Sequence, residues 1–234
     1  MYKLLLAVLV AAQWLSYPTP RAPRTKDGKV DLSAPAPRMP DGKPDLSGVW
    51  TTARAGGGGR RGAGPGAGGG QLNNIGASLP GGVLPYPDFF LRAYGLPHYL
   101  KFIQNQDVLV MLNEMNAGYR QIFMDGRALP ADPNPSWQGY SSAKWDGDAL
   151  VVDTAGFRDD LWLDWNGSVV TSAGKIRERF RRPDFGHIDI EVTVDDPKAY
   201  TKPWTVMLHE QFAADVELND EICLEGEKDA GRLR

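Results

Sequence analysis

Between Lys175 and Val194 the chain alternates apolar and charged residues on both sides of a Pro183-Asp184-Phe185-Gly186 turn. A period of two is the pattern of β-strands that bury one face. Folding the segment about Asp184 predicts a hairpin in which Arg181 faces His187, Arg179 faces Asp189 and Arg177 faces Glu191. Each basic residue then meets an acid or an imidazole, a favourable cross-strand arrangement. A slip of one residue would set the arginines against isoleucines. The other face carries Ile176, Phe180, Ile188, Ile190 and Val192, and one charged residue among them, Glu178. A carboxylate on an apolar sheet face must be paired, protonated or in use. Glu178 is therefore the leading functional candidate.

The same period recurs from Leu100 onward. Strands are expected at Leu100–Gln104, Val108–Asn113, Tyr119–Met124, Ser141–Trp145, Ala149–Thr154 and Trp204–Phe212, after a first strand opening at Gly48-Val49-Trp50. Asp146-Gly147 is a strong hairpin signal. Helical periodicity is weak, with one short helix expected at Phe89–Tyr94 before Gly95 and Pro97. A chain of short strands removes its free edges by closing into a barrel or stacking as a sandwich. The expected fold is all-β, an antiparallel meander closing into a barrel of about eight to ten strands.

The N-terminus divides from this domain by composition. Residues 1–20 read as a secretory signal peptide, with a basic residue, a short apolar run and a small-residue site at Ala12. The run is too short to span a bilayer, so no stable membrane span is expected after processing. Residues 21–44 form an extended arm, and 45–234 the barrel domain with a Gly-rich insertion at 55–70. In the arm, Asp27-Gly28-Lys29-Val30-Asp31-Leu32-Ser33 returns as Asp41-Gly42-Lys43-Pro44-Asp45-Leu46-Ser47. Two copies are too few for a solenoid. They read as turns laid over the domain surface.

Four segments carry a resemblance: Pro44 to Trp50, Pro135 to Tyr140, Trp145 to Phe157 and Glu178 to His187. Together they resemble a family of uncharacterised secreted bacterial proteins with a lipocalin-like, calycin-type barrel. The resemblance runs from Pro44 to about Cys223. It implies an exported β-protein, periplasmic or secreted, and supplies no reaction and no catalytic residues. Family members often carry a His-containing segment where this chain has Ser168-Val169-Val170-Thr171, so a mechanism built on that His does not transfer.

Chemistry in the residues centres on the lumen. A desolvated Glu178 can serve as a general base or acid, and the bland alternative is a buried pair with Arg120 on a neighbouring strand. The candidate catalytic set is Glu178 with Arg120 and Tyr140 as oxyanion supports. Trp137, Trp162 and Trp165 on Pro- and Asp-rich loops, with Phe180 and Ile190, suit a small apolar or aromatic molecule. The single Cys223 excludes an internal disulfide and a cysteine zinc site. His98, His187 and His209 show no metal-binding spacing, so no metal is expected. His187 reads as an exposed residue at a strand end. There is no Gly-x-Ser-x-Gly, leaving Ser136, Ser141 and Ser142 without partners. The Gly-rich run opens no helix after a strand, so no dinucleotide cofactor is expected. A net charge of −3 names no partner, and arginines interleaved with acids argue against nucleic acid. Three readings stand: a barrel binding a small apolar molecule, a cofactor-independent lyase, isomerase or hydrolase, and a structural or protein-interaction module.

Overall fold

A computed structural model describes residues 17–52, 99–114, 118–159, 161–163 and 169–219. Residues 1–16 of the expected signal peptide, the Gly-rich insertion, the expected helix at Phe89–Tyr94, His98, Trp165 and Cys223 lie outside them. The strands are β1 (Gly48–Thr52), β2 (Tyr99–Gln104), β3 (Val108–Asn113), β4 (Tyr119–Phe123), β5 (Tyr140–Asp146), β6 (Ala149–Ala155), β7 (Leu161–Trp162), β8 (Val169–Val170), β9 (Lys175–Arg181), β10 (His187–Asp195) and β11 (Trp204–Phe212). Nine of them close a barrel in the order β1-β11-β10-β9-β6-β5-β4-β3-β2, and β7 pairs β8 separately. Trp50 on the closing strand β1 is fully buried. Its ring meets Phe212 edge-on at 5.3 Å.

The sheet is mixed, where a purely antiparallel meander was expected. β4 and β5 run parallel, with Ile122 opposite Ser141 and Phe123 opposite Ser142. A parallel neighbour requires a crossover of a dozen or more residues. The stretch 124–139, stiffened by Pro130, Pro133 and Pro135, supplies it.

The β9–β10 hairpin differs from expectation by two residues. Arg181 pairs with Asp189, Arg179 with Glu191 and Arg177 with Thr193. An even shift preserves parity, so every side chain keeps its expected face. The N-terminal arm widens the turn. Phe185 N–H donates to Ala34 C=O at 2.7 Å and Gly186 N–H to Leu32 C=O at 2.8 Å. Arg182 turns inward, 6% exposed, and donates to the carbonyls of Asp45, Ser47 and Phe185. The charge ladder also finds other partners. Arg177 bonds Asp153 on β6 and Arg179 bonds Asp146 on β5, each at 2.7 Å.

The arm is a tandem of two equivalent hairpins. Thr25 N–H donates to Lys29 C=O and Met39 N–H to Lys43 C=O, both at 2.8 Å. Gly28 and Gly42 take φ of +79° and +82°, a conformation that glycine adopts without penalty. Arg24 bonds the Gly28 carbonyl and then Asp215 beyond β11. Arg38 bonds the Gly42 carbonyl and then Asp148 in the β5–β6 turn. Leu46 ends the second unit fully buried in the core.

Candidate functional site

The strand directions sort the connections between the two barrel ends. The arm, the β2–β3, β5–β6 and β9–β10 turns and the segment after β11 gather at one end. There Leu46, Trp50, Phe185 and Phe212 are buried. The Arg182 guanidinium lies 4.7 Å over Trp50 and 5.2 Å from the Phe185 ring. Burial lowers the Arg182 pKa to about 10. The connections after β1, β3, β6 and β10 gather at the opposite end.

Toward that opposite end the lumen holds a polar cluster. Arg120 is the second residue of β4, Ser141 the second of β5, Thr154 the last but one of β6, and Glu178 sits in the middle of β9. All four are buried, with Arg120 4% and Glu178 0% exposed. Arg120 Nη1 donates to Glu178 Oε1 at 2.9 Å and Nη2 to Glu178 Oε2. Nη2 also reaches Thr154 Oγ1 at 2.8 Å, and Nε reaches Ser141 Oγ at 3.1 Å. Met111 Sδ lies 3.9 Å from Nη1. The five N–H donors of a guanidinium are thus met from four strands. The two hydroxyls bond each other at 3.0 Å. Arginine keeps its proton in proteins, so its fork–fork pair holds Glu178 as the anion.

Parity found Glu178, and the structure brings Arg120 to it. Tyr140 is not part of the cluster. Alternation along β5 turns Ser141 inward and Tyr140 outward, where its hydroxyl accepts from Arg127 Nη1 at 3.3 Å. Phe180 and Ile190 are fully buried in the barrel core, and Phe180 meets Phe102 edge-on at 6.3 Å. Trp137 is half-buried beside the Ser136–Phe157 bridge, with Arg158 4.2 Å over its ring. Trp162 lies on β7. Other buried polar residues escaped the sequence reading, among them Asp196 at 1%, Arg182 and Asn113 at 6%, and Glu210 at 0% exposure. The signal was there. Glu210 shares parity with Leu208 and Phe212, and Asn113 with Leu109 and Met111. Ser141 and Thr154 gave no such signal, because small hydroxyls are common on either face of a strand.

A cleft of about 480 Å³ lies beside the barrel at the same end, lined by Leu129, Pro203, Asp153, Arg177 and Thr193 among others. Among the described residues no three or more His, Cys, Asp or Glu are grouped to hold a metal ion, and no helix is long and apolar enough to cross a membrane. No protein-family model, curated protein or solved structure matches the chain.

Proposed function

We propose that the barrel is a binding module, exported to the periplasm or beyond, that takes a small, largely apolar molecule in the lumen at the end remote from the arm. The observation that carries this reading is the engagement of Glu178, both of whose oxygens are held by one guanidinium. A general base needs a lone pair aimed at substrate, and here the carboxylate faces a permanent cation. That pairing argues against Glu178 as a proton carrier. Val152 and Val192, the cross-strand neighbours of Glu178, supply apolar walls. Ser141 and Thr154 hydroxyls, each able to donate and accept, supply a floor for one polar group. The apolar run before Ala12 and the resemblance of Pro44 to Trp50 and later segments to secreted proteins support export.

Titration with a fluorescent apolar probe tests the reading. One probe should bind per chain, and Val192→Phe, which adds bulk beside Glu178, should weaken it at least about tenfold while the variant melts normally. Failure of the folded parent to take up any apolar probe would favour the structural reading, in which the barrel is packed solid.

A further inference from the structure

The outer face of β10–β11 presents two histidines that the sequence separates by 22 positions. His187 lies opposite Gln211, and Asp189 opposite His209. His187 and His209 are therefore diagonal neighbours on one face. Phe212 N–H donates to Gly186 C=O at 2.7 Å. That places the 187–211 and 189–209 pairs at the non-hydrogen-bonded positions, where side chains approach most closely. Diagonal partners lie within about 7–8 Å, Cβ atoms somewhat less.

Both rings are set in the same way. His187 Nδ1 lies 2.7 Å from Asp184 Oδ1, and His209 Nδ1 lies 2.6 Å from Asp189 Oδ1. The Asp184 carboxylate is itself fixed by the Gly186 N–H at 2.9 Å. A carboxylate only accepts, so each Nδ1 carries the proton and each neutral ring leaves a bare lone pair on Nε2. Neither Nε2 has a partner among the described residues. The side chains are 45% and 57% exposed, open to an incoming ion. A carboxylate behind an imidazole is the support that metal-ligating histidines use to fix tautomer and raise basicity.

We propose that His187 and His209 bind one divalent transition ion through Nε2, with Asp184 and Asp189 as positioning residues and water completing the shell. Two imidazoles with water favour Cu2+ over Ni2+ and Zn2+, and do not suit Mg2+ or Ca2+. Arg181 faces Asp189 across the sheet, so the neighbouring groups leave little net charge to attract a hard cation. The site is independent of the lumen.

The test is titration of the full chain with Cu2+, by calorimetry and by electron paramagnetic resonance for nitrogen coupling. One Cu2+ should bind per chain with two imidazole nitrogens, and Mg2+ should not compete. His187→Ala and His209→Ala should each abolish that two-nitrogen signal. Asp184→Asn and Asp189→Asn should weaken binding about 10- to 100-fold. All four side chains are on the surface, and an unchanged melting curve confirms each variant is folded. Copper binding that survives either histidine substitution unchanged, or no binding by the parent, overturns the proposal.

Discussion

Arg120 reaches Glu178 across two intervening strands, and each of those strands contributes one hydroxyl to the same guanidinium: Ser141 from β5 and Thr154 from β6. The cluster spans the weakest seam of the barrel, since only two residue pairs register β4 against β5. Its place there gives it a structural task alongside any part in binding: it ties the parallel junction to the antiparallel sheet.

Removing one partner should therefore cost much more than removing both. Glu178→Ala leaves the Arg120 cation buried without its carboxylate, and unfolding in urea should show a loss of about 3–5 kcal/mol. The double variant Arg120→Met, Glu178→Leu replaces the pair with apolar volume and should recover most of that loss. A single variant as stable as the parent would remove the cluster from the closure of the barrel.

Arg182→Ala should destabilise the arm end of the barrel. The guanidinium satisfies carbonyls of Asp45, Ser47 and Phe185, and orphaned buried acceptors cost about 1–3 kcal/mol each. The charge itself is unwelcome there, and the sign follows. Burial holds Arg182 at about 10, below its unfolded value. The folded state then binds the proton less well, and the cost is present at all pH values below about 10. Between pH 5 and 9 the stability lost in Arg182→Ala should be constant.

Much of the fold was legible because parity is robust. The alternation from Lys175 to Val194 placed Glu178 inside the barrel although the register was two residues off, since an even shift changes no face. The hairpin register was not legible because it depends on Ala34 and Leu32, about 150 residues earlier in the chain, whose carbonyls occupy the turn. The parallel seam was hidden for a related reason. A local pattern identifies strands at Tyr119 and Ser141 but not the direction in which a 16-residue crossover returns them. In the site, Arg120 was foreseen as a partner for Glu178. The outward turn of Tyr140 follows from the inward turn of Ser141, which composition alone does not reveal.

Gly186→Ala should lift the arm from the barrel. A Cβ at Gly186 would lie 2.4 Å from Leu32 Cβ and 2.7 Å from the Leu32 carbonyl oxygen, and the obstacle is backbone. Hydrogen exchange at Phe185 and Gly186, whose amides bond the arm, should accelerate at least about tenfold, equivalent to about 1.4 kcal/mol of local opening. Unchanged protection at both amides would show that the arm yields without detaching.

The two arm clasps should be acid-labile. Hydrogen bonds from Arg38 hold the Asp148 carboxyl below its ordinary range, and those from Arg24 do the same for Asp215. A carboxylate depressed in the folded state contributes stability above its free pKa of about 3.9, and that contribution is lost as pH falls through the folded value. Arg24→Ala, Arg38→Ala should melt below the parent at pH 7, and the gap should narrow on acidification below about pH 4 to the part that the Gly28 and Gly42 carbonyl bonds contribute. Both clasps are exposed, so high salt should narrow the same difference.

The most direct test of the binding proposal is native mass spectrometry of the protein purified without denaturation or organic solvent. A one-to-one complex with a small apolar molecule, or with an added apolar probe, should be retained in the parent and reduced in Val192→Phe. A folded chain that shows only its bare mass, with and without the probe, would contradict it.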